Sequence, residues 1–250
     1  MTKVFDGKVY QKELLDSLQK RLLSSKEEPK LVSILVGNDR ASEIYTNLKK
    51  KACEYVGAHM EIVHFPGETS KDEIKSKIQN LNEDITVKGI MIQLPLPEIL
   101  KSETKNIIET IMREKDIDGM RDDSEFTPAT VRAVNQILKL ARNEGFLNSN
   151  SKIAVVGSKG SVGSKIKFDE GFDKGDDLFQ LKDFDVVISA TGVANLITPE
   201  MIKEDAVLID VGAPLPEFEE GCYEKASFYT PVPGGVGPVT IVSLVENLLD

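Results

Sequence analysis

Apolar positions alternate between two periods along the first half of the chain. Leu14, Leu15, Leu18, Leu22 and Leu23 recur at helical spacing within residues 11–24. The run LVSILV at 31–36 reads as a buried strand ending at Gly37. The pattern then predicts a helix over Ser42–Val56 with Gly57 closing it, a strand over Met60–Phe65, a helix over Lys71–Leu81 and a strand over Gly89–Leu94. This β-α-β-α-β series implies a parallel sheet covered on both faces. After about Asp118 the pattern changes. A helix over Thr130–Asn143 and a polar stretch, Asn148–Ser151, lead to a second series of strands: KIAVVG at 152–157, DVVISATG at 185–192 and AVLIDVG at 206–212. A Pro/Gly loop, TPVPGGVGP, then feeds an amphipathic helix. The expected fold class is α/β with two lobes and a cleft between them. An N-terminal parallel-sheet lobe spans 1–120, completed by a C-terminal helix at 237–250, and a second lobe spans 121–230.

Composition narrows the function. Hydrophobic residues make up 40% of the 250, enough to bury a sizeable core. A net charge of −10 argues against nucleic-acid binding, which needs a basic stripe, but leaves room for a local basic cluster and a small anionic substrate. Cys53 and Cys222 are far apart, and only His59 and His64 could assist a metal, so no metal site is expected. The opening MTKVFDGKVYQKELL lacks the apolar run of a secretory leader. No run of about eighteen apolar residues suggests a membrane span. A soluble, cytoplasmic protein without a membrane partner is the expectation.

Four motifs carry candidate chemistry. Tyr45 and Lys49 sit four apart on one helix face, where a ring could stack a flat heterocycle beside a proton-moving amine. A solvated face with a snorkelling lysine would give the same pair. Gln93-Leu94-Pro95-Leu96-Pro97 ends a strand, where parallel sheets bind ligands, although the prolines alone would also stop a strand. Lys115-Asp116-Ile117-Asp118-Gly119 offers two carboxylates for an amino-heterocycle, or simply an Asp-Gly turn. Pro231-Val232-Pro233-Gly234-Gly235-Val236-Gly237-Pro238 combines rigid prolines with glycines that let backbone approach a ligand.

With Phe5-Asp6-Gly7-Lys8, these stretches occur in an order and spacing that resembles the bifunctional methylenetetrahydrofolate dehydrogenase/methenyltetrahydrofolate cyclohydrolase family. The resemblance implies an NAD- or NADP-dependent oxidation of methylenetetrahydrofolate and hydrolysis of the methenyl product to 10-formyltetrahydrofolate, usually in a homodimer. It implies that Lys49 is the central catalytic lysine, oriented by Gln93, that Tyr45 stacks on the pterin, and that Asp118 holds the pterin amino group. The loop containing Pro233, Gly234 and Gly235 would line the folate site. The Lys49-Lys50-Lys51 run would offer charge to a poly-glutamate tail, or be a solvated helix face.

The resemblance makes 1–120 the folate-binding catalytic lobe and 121–230 a shortened, Rossmann-like dinucleotide lobe, whose glycine loop departs from the family pattern, roughly Gly-Arg-Ser-x-x-Val-Gly-x-Pro. Here Gly157, Ser158, Lys159 and Gly163 are the candidate cofactor residues; Ser158 replaces the family arginine that meets the extra phosphate of NADP, and Lys165 replaces the proline. Only twenty-one residues, Ser164–Phe184, separate the loop from the next strand, with no apolar helical stripe, and Lys165–Phe168 reads as a strand entered directly. A phosphate-cradling helix is therefore expected to be missing, and Asp169, Glu170, Asp173, Asp176 and Asp177 add repulsion. A second trim lies between Gly212 and Tyr229. Three readings stand: a working bifunctional enzyme, a cyclohydrolase or folate-binding protein that has lost effective NAD(P) binding, and a non-catalytic protein that keeps the fold. Tyr45, Lys49, Gln93 and Asp118 together argue against the last. The departures predict weak or absent NADP binding with hydrolysis kept.

Overall fold

Every residue of Leu31–Val36 is buried, as a strand must be when neighbours pair on both edges and layers cover both faces. The computed structural model describes all residues except Met1 and Lys26. In chain order the elements are β1 (Lys3–Val4), α1 (Gly7–Ser25), β2 (Lys30–Val36), α2 (Arg40–Val56), β3 (His59–Phe65), α3 (Lys71–Glu83), β4 (Val87–Ile92), α4 (Thr104–Ile108), α5 (Ala129–Asn143), β5 (Ile153–Val156), β6 (Glu170–Phe172), β7 (Val186–Ser189), β8 (Val207–Asp210), α6 (Glu220–Lys225), β9 (Phe228–Tyr229) and α7 (Val236–Leu249). They fall into two compact units, Lys12–Ala129 with Ile241–Asp250, and Met1–Gln11 with Thr130–Thr240.

The unit built on residues 12–129 holds a three-stranded sheet in the order β3-β2-β4, with both pairs parallel. Alternation along β2 sends Val32, Ile34 and Val36 into a cluster with Ile74, Ile78 and Leu81 of α3. Leu31, Ser33 and Leu35 face the opposite side. Helix α2 starts at Asp39, whose carboxylate accepts the Ser42 amide at 2.7 Å, and stops at Gly57, whose φ of 95° is left-handed. β4 ends at Ile92, and the Gln93 amide still donates to Ile34 O at 2.8 Å.

The other unit holds a six-stranded sheet, β1-β9-β8-β7-β5-β6, parallel at each pairing. The chain order reverses between β5 and β7, which creates the switch point at which doubly wound sheets bind ligands. No strand from Lys165 to Phe168 forms. After the glycine loop the chain makes one 3₁₀ turn, Gly163–Lys165, and the strand comes later, at Glu170–Phe172. The physical reason is register. Asp169 donates its amide to Ile153 O at 2.9 Å and accepts the Ile153 amide on its carboxylate at 2.8 Å, so pairing with β5 starts only at Glu170. The expected absence of a helix after the loop is what the structure has.

The opening Phe5-Asp6-Gly7 motif belongs to this second unit. β1 pairs with β9, and the Gly7 amide donates to Gly234 O at 2.9 Å. A Cβ at Gly7 would lie 2.9 Å from the Gly235 carbonyl carbon and closer still to its oxygen. Gly7→Ala is therefore expected to lower unfolding free energy by about 1–3 kcal/mol, the usual cost of overpacking. A urea titration with an unchanged midpoint would contradict it.

Candidate active site

One face of α2 builds the first cluster. Its buried positions are Ser42, Thr46, Lys49, Ala52, Cys53 and Val56, a single inward stripe. Lys49 lies on that stripe, not on a solvated face. Its Nζ donates to Gln93 Oε1 at 3.1 Å. Thr46 Oγ1, one turn earlier, reaches the same oxygen at 3.4 Å while donating to Ser42 O at 2.8 Å. The Gln93 Nε2 donates to Leu94 O at 2.8 Å, which fixes the amide with its oxygen toward the lysine. Burial is the first cause that drives the Lys49 amine below the ordinary lysine range, and the Asp118 carboxylate pulls the other way. The Cys53 thiol, four residues on, is pushed up to about 12 by the same burial. Tyr45 is half-buried, one turn before Lys49. Of the three consecutive lysines only Lys50 and Lys51 reach solvent, and Lys50 Nζ lies 3.9 Å from Glu54.

The KDIDG segment divides its labour. Lys115 Nζ donates to Leu81 O, Asn82 O and Asp84 O at 3.0, 2.7 and 2.8 Å, closing the end of α3. Asp116 is 1% exposed; its Oδ2 accepts the Arg121 amide at 2.8 Å, and Oδ1 has no hydrogen-bond partner among the described residues. Burial raises its carboxyl, with Asp118 adding to the effect. Asp118 is half-buried, so it is the carboxylate a ligand can reach. Gly89 makes room here, since a Cβ would lie 2.8 Å from Ile117 Cγ2. Asn247 of α7 donates to Ile117 O at 2.8 Å.

The glycine loop forms the second cluster, in the other unit. Gly157 has φ 85°, and a Cβ there would lie 2.6 Å from Ala190 O. Gly163 is equally tight, its missing Cβ lying 2.9 Å from the Gly157 carbonyl carbon. Only glycine permits these approaches at the switch point. The amides of Ser161, Val162 and Gly163 have no acceptor among the described residues, whereas those of Gly157, Ser158 and Lys159 are taken by Phe172 O and Asp173. Ser158 Oγ donates to Asp173 Oδ2 at 2.6 Å. Beyond β7, the buried Glu217 carboxylate accepts the amides of Thr191 and Gly192 at 2.8 and 2.7 Å, and the Ser189 hydroxyl. Asp210 accepts the Gly212 and Glu217 amides, each at 2.8 Å; burial, with the Glu217 charge added, pushes it up to about 6. Thr46, Asp173 and Glu217 were not singled out as site residues by motif. Their signal lies in pairing partners distant in sequence.

The structure brings Lys49, Gln93 and Asp118 into one electrostatic neighbourhood, and Gly157, Ser158, Lys159 and Gly163 into one loop. Pro233, Gly234 and Gly235 lie in the second unit, where Gly235 N donates to Pro231 O at 2.8 Å and Gly234 has φ 109°. Two family models match, the catalytic domain of tetrahydrofolate dehydrogenase/cyclohydrolase over residues 5–118 and its NAD(P)-binding domain over 175–250. The chain belongs to the tetrahydrofolate dehydrogenase/cyclohydrolase family. It is an enzyme of one-carbon folate metabolism, with a catalytic domain and an NAD(P)-binding domain.

Relatives bear on the whole length. The bifunctional protein FolD of Staphylococcus haemolyticus is 39% identical, over 100% of this chain and 96% of its own. The alignment runs over 281 residues against 250 here, so about thirty positions of that protein have no counterpart in this chain. FolD of Staphylococcus aureus (strain N315) is 38% identical with the same coverage. The crystal structure of FolD from Campylobacter jejuni is similar at a TM-score of 0.89 and 30% identity, covering 100% of this chain and 98% of its own. An enzyme from Trypanosoma brucei, solved with NADP and an inhibitor, gives 0.85 at 26% identity, covering 99% and 96%. The family's NAD(P)-binding match begins only at residue 175, after the altered loop and β6. Among the described residues no helix is long and apolar enough to cross a membrane.

The opposing influences on Lys49 give a signed prediction for this enzyme. Burial lowers the amine and the Asp118 charge raises it. Asp118→Asn removes the raising charge, so the Lys49 titration should move to lower pH. NMR of labelled lysine side chains would read the midpoint. A midpoint that stays or rises would show that Asp118 does not act on the amine.

Proposed function

We propose that the unit of residues 12–129 and 241–250 carries folate binding and hydrolysis, with Lys49 as the proton-moving group, and that the unit of residues 1–11 and 130–240 binds the dinucleotide. The observation that carries this reading is the desolvated Lys49 amine hydrogen-bonded to Gln93 on the inward stripe of α2. An amine lowered by burial exchanges a proton closer to neutral pH than a solvated lysine does. In hydrolysis, water adds to the methenyl carbon and gives up a proton, and ring opening then needs a proton at the departing nitrogen. Nζ of Lys49 suits both transfers. Gln93, itself held by Leu94 O, orients the amine, and the Asp118 charge limits how far burial lowers it. Tyr45 stacks on the pterin, and Asp118 accepts from its amino group.

The glycine loop fits a dinucleotide through its backbone. The tight Gly157 and Gly163 contacts leave no side chain in the way, and the unpaired Ser161, Val162 and Gly163 amides are the donors a pyrophosphate needs. The three-residue turn that follows offers no helix end to reinforce them. Bound NAD(P) supplies the acceptor for a hydride from the bridging carbon of methylenetetrahydrofolate. The reading of a cyclohydrolase with impaired dinucleotide binding is supported by that missing helix, by Ser158 in place of the family arginine and by the acidic residues that follow the loop. A homodimer follows from the family resemblance, and a cytoplasmic location agrees with the two unpaired, buried cysteines.

Lys49→Met should abolish hydrolysis of methenyltetrahydrofolate, leave folate binding within a few fold, and raise the melting temperature, because a buried amine is a cost to the fold. Near-normal hydrolysis would remove Lys49 from the mechanism. Asp118→Ala should weaken folate binding by about 1–3 kcal/mol, as expected for an unpaired buried polar group. An unchanged affinity in a direct titration would leave the segment as a turn only. Light scattering at micromolar concentration should give a dimer mass, and a monomer mass would exclude the dimer.

A further inference from the structure

Asp173 directly follows β6, the edge strand beside β5. In doubly wound sheets, an acidic residue about twenty positions after the glycine turn hydrogen-bonds the adenosine ribose, and a nearby arginine accommodates a 2′-phosphate where one is present. Here the acid comes sixteen residues after Gly157, because a 3₁₀ turn replaces the intervening helix. The loop holds its carboxylate in place. Oδ2 accepts from Ser158 Oγ at 2.6 Å, Oδ1 accepts from the Lys159 amide at 3.1 Å, and Lys159 Nζ lies 3.8 Å away. These contacts, the Ser158 hydroxyl foremost, hold the carboxyl below the usual range, so it is ionised at neutral pH.

The neighbours make this a built arrangement. A Cβ on Gly171 would lie 2.5 Å from Ser158 Cβ, so glycine at 171 is what lets Ser158 turn toward Asp173. The Asp173 amide donates to Asp176 Oδ2 at 2.7 Å, which brings a second carboxylate to the same corner. A carboxylate has about four acceptor positions. Ser158 and the Lys159 amide take two, which leaves room for a pair of hydroxyls. A phosphate at the same place would meet one ionised carboxylate with another beside it. The Lys159 ammonium, already beside Asp173, is 85% exposed. Ser158 brings no charge.

We propose that Asp173 sets the cofactor choice of this enzyme: it accepts the 2′- and 3′-hydroxyls of the adenosine ribose and repels a 2′-phosphate, so that NAD is used and NADP is not. This rests on the dinucleotide-binding reading given above. Calorimetric titration of the full chain with NAD and with NADP, without folate, tests it by binding and not by turnover. NAD should bind at least tenfold more tightly than NADP. Asp173→Ser should weaken NAD, strengthen NADP and cut that ratio at least tenfold. Asp173→Asn keeps the shape, removes the charge, and should strengthen NADP more than it alters NAD. Melting curves report whether each variant is folded; should Asp173→Ser unfold, the wild-type ratio and Asp173→Asn decide. Equal or tighter NADP binding by the wild-type chain overturns the inference and leaves the dinucleotide reading standing. A ratio unmoved in both folded variants overturns the assignment to Asp173. Binding of neither dinucleotide overturns the inference and the dinucleotide reading together, while intact hydrolysis in the same sample would keep the folate reading.

Discussion

An amine withdrawn from water on the inward stripe of α2 is the constraint around which the unit of residues 12–129 and 241–250 is arranged. Burying an ammonium is expensive unless it is paired or its pKa falls. Both responses are present, since Gln93 Oε1 accepts from Nζ while desolvation lowers the amine and the Asp118 charge limits the fall. Each partner needs its own support. Gln93 stands where it does because β4 runs parallel to β2 and hands its next amide to Ile34. Asp118 stands where it does because Lys115 ties the segment to the end of α3 and Asn247 holds Ile117 O. The geometry of the cluster thus depends on strand register and on two polar anchors, Lys115 and Asn247.

The unit of residues 1–11 and 130–240 solves a different problem, that of holding loops in place with only a 3₁₀ turn after the glycine loop. At the carboxyl ends of β5, β6, β7 and β8 the loop amides are gathered by carboxylates of the chain itself. Asp173 takes the Lys159 amide, Glu217 takes Thr191 and Gly192, and Asp210 takes Gly212 and Glu217. This explains how a chain of net charge −10 keeps an anion-binding architecture. Several of its acids are consumed as internal acceptors and do not all project into solvent. It also shows why counting acidic residues near the loop overstates repulsion of phosphate in general. What matters is where each carboxylate points, and Asp173 points at the Ser158 hydroxyl and the Lys159 amide.

Much of the fold was legible in the chain. The periods at 31–36, 42–56, 71–81 and 152–157 mark elements that form within a few residues of those bounds, because burial on one face forces the pattern. The family motifs placed Lys49, Gln93 and Asp118, and the lack of an apolar stripe after Gly163 correctly signalled the missing helix. The short elements were not legible. β1 and β9 are two residues each, too short for any period, and exist only through their pairing with each other and β8. The strand expected at Lys165–Phe168 was displaced to Glu170–Phe172 for the same reason, since register against β5 is set by hydrogen bonds that local composition does not encode. The sequence by itself determined which residues could do chemistry and which segments must be buried. Only the tertiary structure decided that Lys49 faces inward, that Lys115 is an anchor and that Asp173 meets Ser158, because each outcome depends on a partner brought close by folding.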